Sequence, residues 1–439
     1  MTQAILAGIL ITALLVQAVL PTRRLVVVSM GAGLAALASS LLGTGTAPEL
    51  LAQVPWDVIV ILVTLGLLSQ LFVESRLFGV LALHATRLSH AGPRRILLLF
   101  AVGMYVVSGL VNNLTALLLV LPVLLILFKL MGVRQRYVTW TLALVLVSCN
   151  LGGAATPIGD FPAILLLGTG VMSFPDYLVR ALPVTLVALA GVLGAAFLLV
   201  RPGSRLGQTP ISATLTLSTM GALYRNVRVE RRRLLPPLLL LGCMLAAWVA
   251  IPRETGVTPD LVAWLGAGGA LALAGGLGER IVRTRIDMEA ALFLLSLFVM
   301  VGAVGRSGLF ADAAVWLQAL PISPLAQLCV FFVAAGLLTG VFSAGPSMAA
   351  LLEVAERLAQ QHSPETVYIG LALSVCAGSS LFLTAATSGP LAQALTERAA
   401  LRDPEGNLIR FGFAEFLPAG LLSFAVIQTV AIAWGLLSA

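Results

Sequence analysis

Asn150-Leu-Gly-Gly-Ala-Ala-Thr-Pro-Ile-Gly-Asp160-Phe-Pro162 lies between two apolar runs, residues 137–149 and 163–172. Three glycines and two prolines in so short a stretch cannot sustain a continuous helix. The flanks are apolar enough for lipid, so the segment reads as a membrane span broken at its middle. Irregular backbone at that depth survives only where it is buried in protein or lines a wet cavity. Freed carbonyls, such as those near Gly159, can then coordinate Na⁺ or another hard cation, and the restarted helix can face an anion. Asn150 and Thr156 add an amide and a hydroxyl. Asp160 is the informative residue: a carboxylate near the bilayer centre is costly to keep charged, so it pairs with a cation or carries a proton. The plainer reading is a carboxylate that caps the new helix. The other acids, Glu49, Asp57, Glu74, Asp176 and Glu230 among them, fall at span ends or in loops.

Upstream, residues 96–128 are too long for one span and too apolar for a loop, with Asn112-Asn113 at their midpoint. A re-entrant hairpin fits, its tip near mid-bilayer. Ser108, Asn112, Asn113 and Thr115 would offer oxygens to a desolvated cation; the alternative is an asparagine pair that only joins helices by hydrogen bonds.

Downstream the same plan recurs. Setting Leu77-Phe78 on Leu309-Phe310 places Asn112 on Ala344, Asn113 on Gly345 and Thr115 on Ser347. Setting Pro162 on Pro390 places Asp160 on Ser388 and Thr156 on Thr384. This predicts N-terminal spans over 1–45, a first repeat over 46–200 (hairpin 96–128, broken helix 137–172), a basic cytoplasmic linker over 201–233, and a second repeat over 234–439 (hairpin 324–353, broken helix 366–395). The class is an all-α polytopic membrane protein of about 10 full spans plus two hairpins, its repeats inverted as in many secondary transporters. The second repeat keeps hydroxyls but no mid-membrane charge. Ser343, Ser347, Ser379, Ser380, Thr384, Thr387 and Ser388 are therefore expected to complete a cavity around one principal ion site in the first half.

Composition agrees: 59% of the 439 residues are hydrophobic and 10% charged, against about a quarter charged in soluble proteins. The net charge of +7 is a topological signal, not a nucleic-acid one. With Arg23 and Arg24 cytoplasmic, threading the spans puts every basic residue on that face except Arg180, Arg253, Arg306 and Arg357. Both termini then face outward, in a bacterial inner membrane or one derived from it. Residues 4–20 are a first span, since a signal peptide would carry a basic n-region and a cleavage site.

Enzyme readings fail on residue supply. Ile158-Gly159-Asp160 resembles an intramembrane aspartyl-protease core, but that chemistry needs two carboxylates sharing a site, and no second mid-membrane acid exists. His84, His90 and His362 make no zinc-hydrolase pattern. Cys149, Cys243, Cys329 and Cys376 lie in apolar runs without metal-ligand spacing. The stretch 77–91, with His84 and His90, reads as membrane-surface anchoring, and Glu353, Glu356 and Arg357 as a solvated face. No cofactor is expected beyond a transported Na⁺ or H⁺.

The broken-helix stretch resembles the signature of the ArsB/NhaD permeases in the ion transporter superfamily, a group of sodium/proton antiporters, arsenite and silicic-acid effluxers and the melanosomal P protein. Phe298-Val-Met-Val-Gly-Ala-Val and Cys376-Ala-Gly-Ser-Ser also resemble the magnetosome protein MamN branch, and the spacing from Asn113 to Pro122 is similar to that of the divalent-anion symporters. The resemblance implies cation ligation by Ser108, Asn113 and the carbonyl region of Gly159, and a homodimer. Asn112 and Leu114 depart from the symporter tip, and Ala344-Gly345-Pro346 lacks its second copy, which argues against a two-sodium dicarboxylate symporter. The expected activity is cation/proton antiport, with proton-coupled efflux of arsenite, silicate or another oxyanion as the alternative.

Overall fold

The structure is a computed structural model that describes residues 2–20, 23–203, 210–223, 228–251, 255–285, 288–386 and 388–438. Arg205, Arg225, Arg253 and Thr387 lie outside the described residues. The described chain is built of helices; nine are long and apolar enough to cross a membrane, or up to 11 if each bent pair is one span.

The first half runs α1 (Thr2–Val19), α2 (Arg24–Leu41), α3 (Ala47–Ala52), α4 (Trp56–Glu74), α5 (Leu77–Leu88), α6 (Pro93–Leu110), α7 (Asn113–Met131), α8 (Gln135–Ala155), α9 (Phe161–Gly168) and α10 (Phe174–Ala195). A connecting helix, α11 (Pro210–Leu223), packs on α5 and α7. The second half runs α12 (Arg231–Ala250), α13 (Pro259–Ala274), α14 (Gly276–Thr284), α15 (Met288–Arg306), α16 (Leu309–Gln318), α17 (Pro324–Phe342), α18 (Ala344–Leu358), α19 (Pro364–Ser379), α20 (Ser388–Ala399) and α21 (Phe413–Ser438). The element order of the first half is thus repeated from its beginning: α1 and α2 have counterparts in α12 and α13. The basic linker holds a helix because residues 210–223 are themselves mostly apolar.

Packing between the halves is reciprocal. α7 lies on α20 and α18 on α9; α10 meets α19 and α21 meets α8; α2 packs on α15 and α13 on α4. A two-fold relation produces each contact twice with the roles exchanged, so the halves are two copies of one structural unit. At the centre the broken helices α8 and α19 cross, and the Asn150 amide donates to Ser379 O and Ser380 Oγ, each at 3.2 Å.

Within each half a hairpin arm lies hard against its broken helix at a glycine. A Cβ on Gly152 would collide with the Tyr105 carbonyl, and one on Gly378 with the Gly336 carbonyl. Helices in lipid gain little from burying apolar surface against each other, so small residues that admit close backbone approach are what hold them. These contacts fix both hairpin tips beside the breaks, in the protein interior.

Candidate functional site

The first hairpin breaks at Val111 and Asn112, both in extended backbone, before α7 begins at Asn113. Asn112 is the N-cap: its Oδ1 accepts from Leu114 N at 2.9 Å and Thr115 N at 3.2 Å. That oxygen satisfies orphan amides of α7, so the two asparagines are not equivalent ligands. Replacing Asn112 by alanine should cost about 1 kcal/mol of stability. Cation affinity, read from the concentration dependence of transport, should stay unchanged.

Asn113 and Ser108 are buried together. The Ser108 hydroxyl is within hydrogen-bond reach of Asn113 Oδ1 and also lies 2.7 Å from Cys149 O. A serine carries one hydroxyl hydrogen, yet two carbonyl oxygens compete for it. The Cys149 thiol meets a further carbonyl, Asn113 O, at 3.4 Å. Close by, a Cβ on Gly159 would collide with the Ser108 carbonyl. Ser108, Asn113 and Cys149 thus bring hydroxyl, amide and carbonyl oxygens together in one buried cluster, oxygens of the kind that ligate hard cations.

Asp160 flanks this cluster. Its Oδ1 accepts from Phe161 N at 2.9 Å and so caps α9, while the Asn113 side chain is turned to its carboxylate. Gly153 separates the two: a Cβ there would sit 2.5 Å from Asn113 Oδ1 and 2.8 Å from Asp160 Cβ. Among the described residues no lysine, arginine or histidine pairs with Asp160. Gly153→Ala must push Asn113 and Asp160 apart. Transport should fall at least about tenfold, because ion sites tolerate only ~0.5 Å of displacement. Overpacking of this kind costs about 1–3 kcal/mol, so the melting temperature should fall as well, and flux in proteoliposomes normalised to folded protein, alongside thermal melting, separates the two effects.

The remaining first-half residues are more committed. Thr156 Oγ1 donates to Gly109 O at 2.6 Å, tying the break to the hairpin arm. Thr115 is buried one turn into α7. Asn150 donates its amide across to the second half, and its buried Oδ1 has no hydrogen-bond partner among the described residues. Asn150, Asp160, Tyr177, Cys376 and Ser379 line a cavity of about 10 Å³, room for roughly one water, at the helix crossing. Tyr177, fully buried with its hydroxyl on Ala154 O at 2.8 Å, is a member that the sequence did not single out.

The second half contributes unequally. Ser379 and Ser380 receive Asn150. Ser347 and Ser388 are buried with hydroxyls that have no partner among the described residues. Ser343, in a left-handed conformation (φ 73°), makes the hairpin turn. Thr384 does not join the cavity: it is exposed, while Ser380, Leu381, Leu383 and Ala385 around it on the second break are buried. The tip glycine Gly345 abuts the Phe161 ring, at 3.4 Å from its Cβ position, so the second hairpin meets the Asp160 break through an aromatic ring.

Glu353 and Glu356 are not an isolated solvated face. With Gln53 and Arg306 they line an open cavity of about 650 Å³ between α9, α15 and α18, which reaches Leu165 and Gly168 on the helix that Asp160 caps. Arg306 itself is held by Glu49 at 2.9 Å.

The profile of the CitMHS family, described as a citrate transporter, matches residues 7–378. An uncharacterized transporter of Mycobacterium tuberculosis is 27% identical over 355 residues, covering 79% of this chain and 80% of its own. The magnetosome protein MamN of Magnetospirillum gryphiswaldense is 27% identical over 92% of both chains. Among solved structures, the YdaH transporter of Alcanivorax borkumensis, whose crystal structure reveals an unusual topology, superposes with a TM-score of 0.53. The likeness covers 91% of this chain and 88% of that one at 19% identity, and it speaks to the fold alone.

Proposed function

The chain belongs to the CitMHS family of citrate transporters, and from that premise we propose that this integral membrane transporter exchanges a cation, Na⁺ first, for a proton at Asp160. The observation that carries the reading is the cluster of buried oxygens at Ser108, Asn113 and Cys149, set beside a carboxylate with no basic partner among the described residues. An uncompensated charge at mid-membrane costs about 2.5–3.5 kcal/mol on insertion scales. Asp160 is therefore stable either protonated or beside a bound cation, and the two states exclude each other. As the hairpins and broken helices shift their exposure between the two faces, the site delivers whichever ion it holds, one per cycle. Gly159 and Asn150 complete the oxygen set; Thr156 and Asn112 hold the backbone that presents it.

A second reading is transport of an oxyanion, coupled to the proton at the same carboxylate. The family's description favours it, as do the starts of α18 and α20, since helix N-termini suit anions, whereas the first amides of α7 and α9 are partly taken by Asn112 and Asp160. Citrate, arsenite or silicate would each fit that chemistry; a charged citrate would need Asp160 neutralised first. A homodimer in a bacterial inner membrane, with both termini outside, is the assembly and orientation consistent with the charge distribution and the resemblance. Currents on a solid-supported membrane under Na⁺, Li⁺, K⁺, citrate and arsenite gradients test the reading. Na⁺- or Li⁺-driven proton movement without added oxyanion supports exchange; current that requires citrate or arsenite replaces it with the second reading.

A further inference from the structure

Away from the proposed ion site, a cavity of about 480 Å³ opens where the last turn of α4, the N-terminal turns of α12, the end of α13 and α14 meet. Four arginines, Arg232, Arg233, Arg280 and Arg285, line it against one carboxylate, Glu74. Glu74 is spent on two of them: Arg285 Nη1 lies 2.7 Å from one oxygen and Arg233 Nη1 3.4 Å from the other. Glu230 also holds Arg233 at 2.7 Å. Arg232 and Arg280 meet no carboxylate among the described residues, so the cavity carries an excess of positive charge on partly immobilised guanidinium groups.

Its position is that of a membrane surface. Glu74 ends one span and Arg232 begins another, while α14 turns 119° away from α13 at Gly275. α14 is amphipathic: Ile281 is buried, whereas Glu279, Arg280 and Arg283 are exposed, the pattern of a helix lying in the interface. Below the arginine rim the wall turns apolar, through Leu71, Leu240 and Leu277. Leu273 on the same wall is 60% exposed, so the cavity opens sideways toward lipid. A small soluble anion would need the rim alone. A ligand with a phosphate at the headgroup level and an acyl chain beneath it uses both parts.

We propose that this cavity binds an anionic phospholipid, its phosphodiester between Arg232, Arg280 and the Glu74-anchored arginines and one acyl chain along Leu240 and Leu273. Guanidinium groups suit phosphate oxygens through paired donors, and the volume falls within the range of small-ligand sites. Because α4 comes from one half and α12 to α14 from the other, the lipid would bridge them.

The test is thermal melting of the purified full chain in mild detergent with added phosphatidylglycerol, phosphatidylcholine or inorganic phosphate. Phosphatidylglycerol should raise the melting temperature, and Arg232→Gln with Arg280→Gln should weaken its apparent affinity about 25-fold, at about fivefold per guanidinium. Arg283→Gln, on the outer face with its side chain 79% exposed, should bind as the unmodified chain does. Equal stabilisation by phosphatidylcholine, or by phosphate alone, would overturn the proposal in favour of unspecific lipid or a free-anion site. So would a double variant that responds normally. Should that variant fail to fold, native mass spectrometry of the unmodified chain decides: retained phosphatidylglycerol in preference to phosphatidylcholine supports the site, and no preference removes it.

Discussion

Asp160→Asn is expected to reduce cation-driven proton movement in proteoliposomes by about two orders of magnitude, the factor that corresponds to the ~2.5–3.5 kcal/mol of a mid-membrane charge. The substitution separates two roles that the carboxylate combines. Asp160 caps α9 by accepting from Phe161 N, and asparagine caps a helix as well as aspartate does. The restart of the broken helix should survive, and the variant should reach the membrane and melt near the unmodified temperature. What asparagine cannot do is exchange a proton for a cation. Any cation flux that remains should therefore be insensitive to pH, whereas in the unmodified protein external acid should compete with the cation and raise its half-saturating concentration. Asp160→Glu keeps the charge but adds a methylene in a site closed by Gly153 and Phe161, and should retain a minor part of the activity. Sodium-driven pH recovery of unchanged rate in Asp160→Asn would remove Asp160 from the coupling step, whatever else the transporter does.

The backbone events of this fold were legible because glycine and proline punctuate apolar runs. The first hairpin turns at the asparagine pair, and the first span breaks between Ala155 and Phe161, inside the stretch where Gly152, Gly153, Pro157 and Gly159 cluster. Division of labour at the tip was not legible. Whether Asn112 or Asn113 caps the helix depends on which residue takes the last extended conformation, and that is settled by how the tip packs on α8. Backbone groups leave no letter in the sequence either: it is the Cys149 carbonyl that lies 2.7 Å from the Ser108 hydroxyl, a contact that its side-chain type does not announce. Tyr177 looks like any aromatic residue in a span until α10 folds across the break.

Long-range placement explains the other differences. Thr384 aligns with Thr156 when Pro390 is set on Pro162, but Thr156 is tied to the hairpin arm through Gly109 O whereas Thr384 is exposed. Glu353 and Glu356 sit at the end of a hairpin arm in one dimension. Only the exchange of partners between the halves, α18 on α9, puts them on a cavity that they share with Leu165 and Gly168 of the first half. The same exchange makes the asymmetry physical. The second hairpin's tip reaches the Asp160 break as Gly345 against Phe161, where polar oxygens would have been needed for a second ion.

Asn113→Leu should raise the half-saturating cation concentration about 10- to 100-fold, the range for losing a hydrogen-bonding partner worth ~1.5–3 kcal/mol to a charge. Leucine shares asparagine's side-chain branching, though its methyls are bulkier, and it would stand at the first position of α7, where Asn112 supplies the cap, so the helix start is preserved. The Ser108 hydroxyl would then keep the Cys149 carbonyl as its acceptor, and the cluster would lose one oxygen. Proton binding at Asp160 should be touched less, so the loss should appear in cation affinity and not in the maximal rate at saturating cation. Asn113→Asp gives the opposite signature. Two carboxylates facing each other across Gly153 cannot both ionise, so cation binding should displace an additional proton and become steeper in pH. Flux measured against cation concentration at two pH values distinguishes these outcomes. An Asn113→Leu protein with unaltered cation affinity would place the ion elsewhere, leaving Ser108, Asn113 and Cys149 as a packing contact between hairpin and broken helix.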